Sequence, residues 1–301
     1  MRIASTQIFQ SGLDAMLDQQ TQLYKTQLQL SSGKRFNSPA DDPTAAAQVL
    51  GLSESIAITA QYQANTKMAE KSLNLEEATL MAVGDALQQA RDLAVQGSNA
   101  TYSAAERQAM AQELRQLMDH VLSLANTQDE AGEYIFAGAQ SQQPPFSHDG
   151  MGTFSFGGDQ GQRQIQVGPS RTIATGDSGF DVFMKVENAD GSGYQDIFTT
   201  LHTLVTDFEA NSPDPDRITE LDKALDNVLS VRTNIGARLN ALERENEVNI
   251  AYSLQLETTR SRVQDLDITQ ASIDLSRQEL VLQSAQQAFV RVQGLSLFNY
   301  L

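Results

Sequence analysis

Cysteine and tryptophan are both missing from the chain. Without cysteine there is no disulfide framework, no thiol nucleophile and no thiolate metal site. The same absence suits a protein that leaves the cell without folding in an oxidising compartment. Histidine is scarce, limited to His120, His148 and His202. None has a second histidine or a carboxylate at repeating ligand spacing, so each reads as a surface or satisfied side chain. Basic residues are outnumbered, 21 against 38 acidic, for a net charge of −17. That balance argues against a nucleic-acid groove and against adhesion to anionic lipid, so neither nucleic acid nor membrane is expected as a partner. It does keep a secreted or concentrated protein soluble. No run of about 18 apolar residues occurs, so no membrane span is expected. Met1–Gln7 opens no secretory signal, because no apolar core follows it. Gly-x-Ser-x-Gly does not occur, and Ser31–Lys34 lacks the first glycine and preceding strand of a phosphate loop. The stretch Asn188–Asp196 lacks the twelfth-position ligand of a calcium loop and reads as a plain turn. No metal, cofactor or enzymatic activity is expected.

What the chain does have is helical periodicity at both ends. Ile268, Leu275, Leu282 and Phe289 recur every seven residues, and Ala271, Gln278, Ala285 and Val292 follow each by three. That spacing is the seam of a helix seeking one long partner. Its flanks are polar but weakly charged, and the tail Leu297-Phe298-Asn299-Tyr300-Leu301 stays apolar to its last residue, so something must bury it. Residues 3–30 match in length, period and Gln-rich flanks, with Ile3, Phe9, Leu13, Met16, Leu23 and Leu30 as the apolar series. The two ends therefore suggest an antiparallel pair.

Between them the texture changes twice. Gly33, Pro39 and Pro43 mark an ordered connector, with Asp42 placed to cap the next helix. Ala-rich helix without proline follows from Thr44 to about Asn99. Ser103-Ala104-Ala105-Glu106 forms a capping box that opens a further helix to about Asn126. From Gln143 to Phe198 lie ten of the nineteen glycines and three of the seven prolines, separating short alternating apolar runs. This segment reads as hairpins. Helix returns at Ile197 and runs, after Pro213–Pro215, to Val263. The expected fold is mainly α: an elongated bundle of long helices built from both chain ends, with a small all-β insert in the middle. Three parts are predicted: a terminal coiled coil from 1–40 and 268–301, a helical bundle from 41–142 and 199–267, and the insert 143–198.

The connector Leu30-Ser31-Ser32-Gly33-Lys34-Arg35-Phe36-Asn37-Ser38-Pro39-Ala40-Asp41-Asp42 closely resembles the N-terminal signature of flagellins and their junction relatives. Asp92-Leu93-Ala94-Val95-Gln96-Gly97-Ser98-Asn99 resembles the family's next block, and Ser261-Arg262-Val263-Gln264-Asp265-Leu266-Asp267 its joint before the C-terminal helix. Glu133–Gly138 and the ending Ser296–Leu301 resemble the junction branch rather than the filament branch. The likeness covers both ends and most of the helical body and leaves the insert uncovered. It implies a structural protein of the extracellular bacterial flagellum, exported unfolded through the flagellar secretion channel without a cleaved signal. It implies self-assembly as a ring between a first junction protein and the filament flagellin, and a cytoplasmic export chaperone on the C-terminal helix. The assembly interface would then be Ile3, Phe9, Leu13, Met16, Leu23, Leu30, Ile268, Leu275, Leu282, Phe289, Leu297 and Phe298, ordered only when neighbouring subunits bury them. A filament-forming flagellin is the alternative. A secreted helical binding module and an enzyme in the insert are the readings from other classes; at 56 residues with His148 alone, the insert is poor in catalytic types.

Overall fold

The computed structural model describes residues 2–298, with side chains described at residue 7 and from 9 to 291. Six helices carry the fold: α1 Arg2–Ser32, α2 Pro43–Gly97, α3 Ala104–Ala125, α4 Ile197–Glu209, α5 Asp216–Gln264 and α6 Ile268–Phe298. Six short strands lie between α3 and α4 as three antiparallel hairpins. They are β1 Phe146–His148 with β2 Phe154–Phe156, β3 Gln164–Gly168 with β4 Arg171–Ala174, and β5 Val186–Glu187 with β6 Tyr194–Gln195. The mainly α fold with a β-rich segment in its middle is the one the sequence suggested.

Local chemistry sets the helix ends. Gly33 closes α1 with φ of 68°, its N–H reaching the Gln29 carbonyl. Asp42 caps α2 by accepting the Ala45 N–H at 3.0 Å, with Pro43 at the first helical position. Ser103 and Glu106 form the anticipated reciprocal box at α3. Asp196 caps α4 by accepting the Thr199 N–H at 2.6 Å, and Asp267 caps α6 by accepting the Gln270 N–H at 3.1 Å.

The chain forms two compact units, one from Met1–Ile58 with Ala251–Leu301 and the other from Thr59–Ile250. In the second unit α3 packs on α4, and strands β1 to β5 contribute residues to the same core as the helices. Four phenylalanines explain why. Phe183 lies between the rings of Phe136, Phe146 and Phe198, with centroids 5.1 Å, 5.2 Å and 5.8 Å away. Phe198 belongs to α4, Phe146 to β1, and Phe183 to a short π-helical turn, Phe180–Met184. Large apolar rings on the insert are thus buried against a helix of the bundle, so the insert has no separate core among the described residues. The β3–β4 hairpin is fastened at two free carbonyls. The Asn65 side-chain amide of α2 donates to the Gln166 carbonyl at 2.7 Å, and that of Asn249 on α5 donates to the Val167 carbonyl at 2.9 Å.

The end of α2 is held by a buried arginine. Arg107 of α3 donates to the Gly97 carbonyl at 2.7 Å, the Asn99 carbonyl at 3.0 Å and the Asn211 side-chain oxygen at 2.6 Å. Gly97 is glycine because the Phe208 ring lies on it; a Cβ there would fall 2.2 Å from the ring. Removing the guanidinium strands the buried Gly97 carbonyl and leaves the exposed Asn99 and Asn211 oxygens to water, so Arg107→Ala should cost about 2 kcal/mol, and Arg107→Lys should recover only part because lysine lacks the planar fork. Urea denaturation of the full chain measures both.

Glu76 of α2 is buried against the turn after β4. One of its carboxyl oxygens accepts the Asp177 N–H at 2.9 Å, and the other is buried without a partner. Burial, then the nearby Asp177 carboxylate, pushes its pKa up to about 8. Arg238 of α5, ion-paired with Asp177, and Glu77, paired with Arg232, complete its charged surroundings. The folded chain holds this proton while an unfolded Glu, ordinarily 4.5, releases it. Its contribution is therefore whole below pH 4.5 and lost as pH rises through about 8. Relative to Glu76→Gln, which keeps the acceptor but cannot ionise, the native chain should lose stability across that window. Equal midpoints of urea unfolding at pH 5 and pH 9 for both chains would contradict this.

Candidate assembly interface

α1 packs on α6 within the first unit. On α1 the sheltered positions include Gly12, Met16, Gln19, Leu23, Thr26 and Leu30, and on α6 Ala271, Leu275, Gln278, Leu282, Ala285 and Phe289, with Gln29 and Asp274 half-buried beside them. Both series step alternately by three and four, the spacing of a two-helix seam. Thr26 and Ala271 are buried and the others half-buried. At one end of the seam the Phe289 ring meets the Phe9 ring at 5.0 Å between centroids and lies over Gly12, where a Cβ would come within 3.3 Å.

At the other end the two non-helical joints are tied by backbone. The Arg35 N–H donates to the Gln264 carbonyl at 2.7 Å and the Leu266 N–H donates to the Gly33 carbonyl at 3.0 Å, forming an antiparallel bridge between Lys34 and Asp265. Asp41 organises the connector. It pairs with Lys25 at 3.1 Å and accepts the Ser38 and Asn37 N–H groups. Lys25 and those two amides hold its carboxyl below the usual range. Phe36 is buried beside them.

A second apolar series on α1 faces away from α6. Leu13, Leu17, Tyr24 and Leu28 are 39%, 52%, 62% and 43% exposed. Steps of four, seven and four keep them within about 60° of arc on the helix. Ile273 and Leu280, seven residues apart on α6, are exposed as well. An apolar stripe of this kind is a candidate interaction face. Among the described residues no group of three or more acidic, histidine or cysteine side chains is placed to hold a metal ion, and no helix is long and apolar enough to cross a membrane. His120 is exposed on α3, while His148 and His202 flank the Phe154 ring at 6.0 Å and 6.4 Å. The Asp190 turn is closed by its own carboxylate, which accepts the Ser192 N–H.

Comparison with known proteins places this geometry. The family description "Bacterial flagellin N-terminal helical region" matches residues 4–141, and "Bacterial flagellin C-terminal helical region" matches residues 218–301. Flagellar hook-associated protein 3 of Escherichia coli is 32% identical over 315 residues, covering 99% of both chains. The chain belongs to the bacterial flagellin family. Flagellar hook-associated protein 3 of Salmonella typhimurium is 30% identical over 317 residues with the same coverage. Within the flagellin family, flagellin FlaB2 of Treponema pallidum is 25% identical over 92% of this chain. The crystal structure of flagellar hook associated protein-3 from Legionella pneumophila has the same fold, with a TM-score of 0.67, 20% identity, and coverage of 70% of this chain and 98% of that one.

In this flagellin-family chain the residues proposed from sequence divide. Met16, Leu23, Leu30, Leu275, Leu282 and Phe289 lie along the α1–α6 seam, and Phe9 joins it through its ring. Leu13 lies on the outward stripe instead, with Gly12 taking its place in the seam, and Ile268 is 62% exposed at the start of α6. The side chains of Ile3, Leu297 and Phe298 lie outside the described residues, as does the tail from Asn299 to Leu301. Gly12, Gln19 and Thr26 are not apolar enough to signal a core, but they recur every seven residues, three after Phe9, Met16 and Leu23. Leu23→Glu should weaken the pair by about 3 kcal/mol, read as faster hydrogen exchange across α1 and α6. Leu17→Glu, on the outward stripe, should leave that exchange unchanged.

Proposed function

We propose that this chain is a structural subunit of the bacterial flagellum placed at the junction between hook and filament. The observation that carries the reading is the 32% identity to the Escherichia coli hook-associated protein along 99% of both chains, against 25% along 92% for the Treponema pallidum flagellin. Its partners would be further copies in a ring, a first hook-associated junction protein on one side and filament flagellin on the other. A cytoplasmic chaperone would cover α6 before export. The molecule would act outside the cell.

The physical basis is the division of labour between two faces of one helix pair. Residues of the seam hold α1 to α6, which leaves Leu13, Leu17, Tyr24 and Leu28 for neighbouring subunits. Burying four partly exposed side chains of this size contributes about 4 kcal/mol per copy before ordering costs, and repetition around a ring multiplies it. The interface thus joins both sets of residues, one by holding the pair together and one by touching the neighbour.

Immunogold labelling of isolated flagella tests the placement. A single band at the hook end is expected, and continuous decoration of the filament would assign the chain to the alternative, a filament flagellin. Leu17→Glu and Leu282→Glu should each abolish incorporation, the first with the pair intact and the second by opening it. Normal filament growth by cells carrying either variant as the sole copy would overturn the proposed interface.

A further inference from the structure

We propose that Phe289, seated on Gly12, is the register lock of the α1–α6 pair, a positioning role that fixes where the outward stripe lies. It rests on the reading of that pair as the assembly element and goes beyond it by naming what sets its alignment.

Continuing antiparallel from the Gly12–Phe289 contact at seam spacing aligns Met16 with Ala285, Gln19 with Leu282, Leu23 with Gln278, Thr26 with Leu275 and Leu30 with Ala271. Every layer then joins a large apolar side chain to a small or polar one. A slip of half a heptad would instead set Met16 against Leu282 and Leu23 against Leu275, and put Gly12 against Ala285. Layers would alternate between overfilled and empty, which close-packed interiors do not tolerate.

A slip of a full heptad is the more dangerous error, because it keeps large against small through most of the seam. Gly12 would face Leu282, Met16 would face Gln278 and Leu23 would face Ala271. Two features oppose it. The Phe289 ring would move from a glycine to Ser5, losing the close approach at 3.3 Å. The backbone bridge between Lys34 and Asp265 would also break. The bridge sits beside the connector and constrains only the base of the pair, and helices can bend or shift along their length. Toward the chain ends, the aromatic ring and its hole are what distinguish one register from the next. The seam's polar members, Gln19, Thr26 and Gln278, add little to that choice, since each can hydrogen-bond in several alignments.

The lack of native cysteine makes the test direct. In the purified full-length chain, Met16→Cys with Ala285→Cys should form an intramolecular disulfide under mild oxidation, at a yield at least about tenfold above Met16→Cys with Gln278→Cys. Mass and gel mobility of the monomer report it, so the outcome is independent of whether copies assemble at the hook. Adding Gly12→Leu should cut the yield of the disulfide between positions 16 and 285 by about tenfold. Phe289→Ala should restore it in that background, while Leu282→Ala should not. Predominant crosslinking to position 278, crosslinked dimers in place of monomers, no disulfide from either pair, or equal rescue by both alanine variants would each overturn the lock. Hook-end labelling that fails while the 16–285 disulfide forms would instead reject the junction reading and leave the register standing.

Discussion

The antiparallel bridge between Lys34 and Asp265 turns two stretches more than two hundred residues apart into one helical pair. Its two hydrogen bonds are ordinary in strength, but they occur where both chain segments have just left a helix and cannot satisfy their backbone groups locally. Gly33 and Asp41 prepare one side by setting the turn and the connector. Asp267 prepares the other by starting α6. Once those ends are joined, α1 and α6 run side by side and the seam follows from their heptads. Without the joining, the base of each helix would be free to shift along the other.

The second unit is held by different means. Its core is continuous from α2, α3, α4 and α5 into the strands, and aromatic rings form the link. Around that core, charged groups work mainly as placement devices. Arg107 closes the end of α2, Arg217 gathers Asp207, Asp214 and Glu220 at the start of α5, and Arg238 reaches Asp177 beside the buried Glu76. Several other pairs, such as Lys71 with Glu130, lie in water and add little stability.

Much of this was legible before any coordinates. Heptads announced α1 and α6, and the unbroken Ala-rich run announced α2. Ser103 with Glu106 announced the start of α3, and the sudden density of glycine from Gln143 announced the hairpins. What escaped was long-range and depended on a partner. Leu13 outranks Gly12 on any apolar scale, yet the seam takes Gly12 because a phenylalanine from the far end of the chain occupies the space. Nothing in the sequence around Arg107 signals that the carbonyls of Gly97 and Asn99 converge on it. Phe146 and Phe183 fit a self-contained insert equally well, and only the position of Phe198 on α4 shows that their core is shared.

The amides of Asn65 and Asn249 on two carbonyls of β3 have a consequence for the solubility of the hairpin. A strand with open backbone acceptors invites a strand from another molecule, and at high concentration that route ends in irreversible aggregates. Two asparagines close those acceptors at β3, so a strand of another molecule finds less open backbone there.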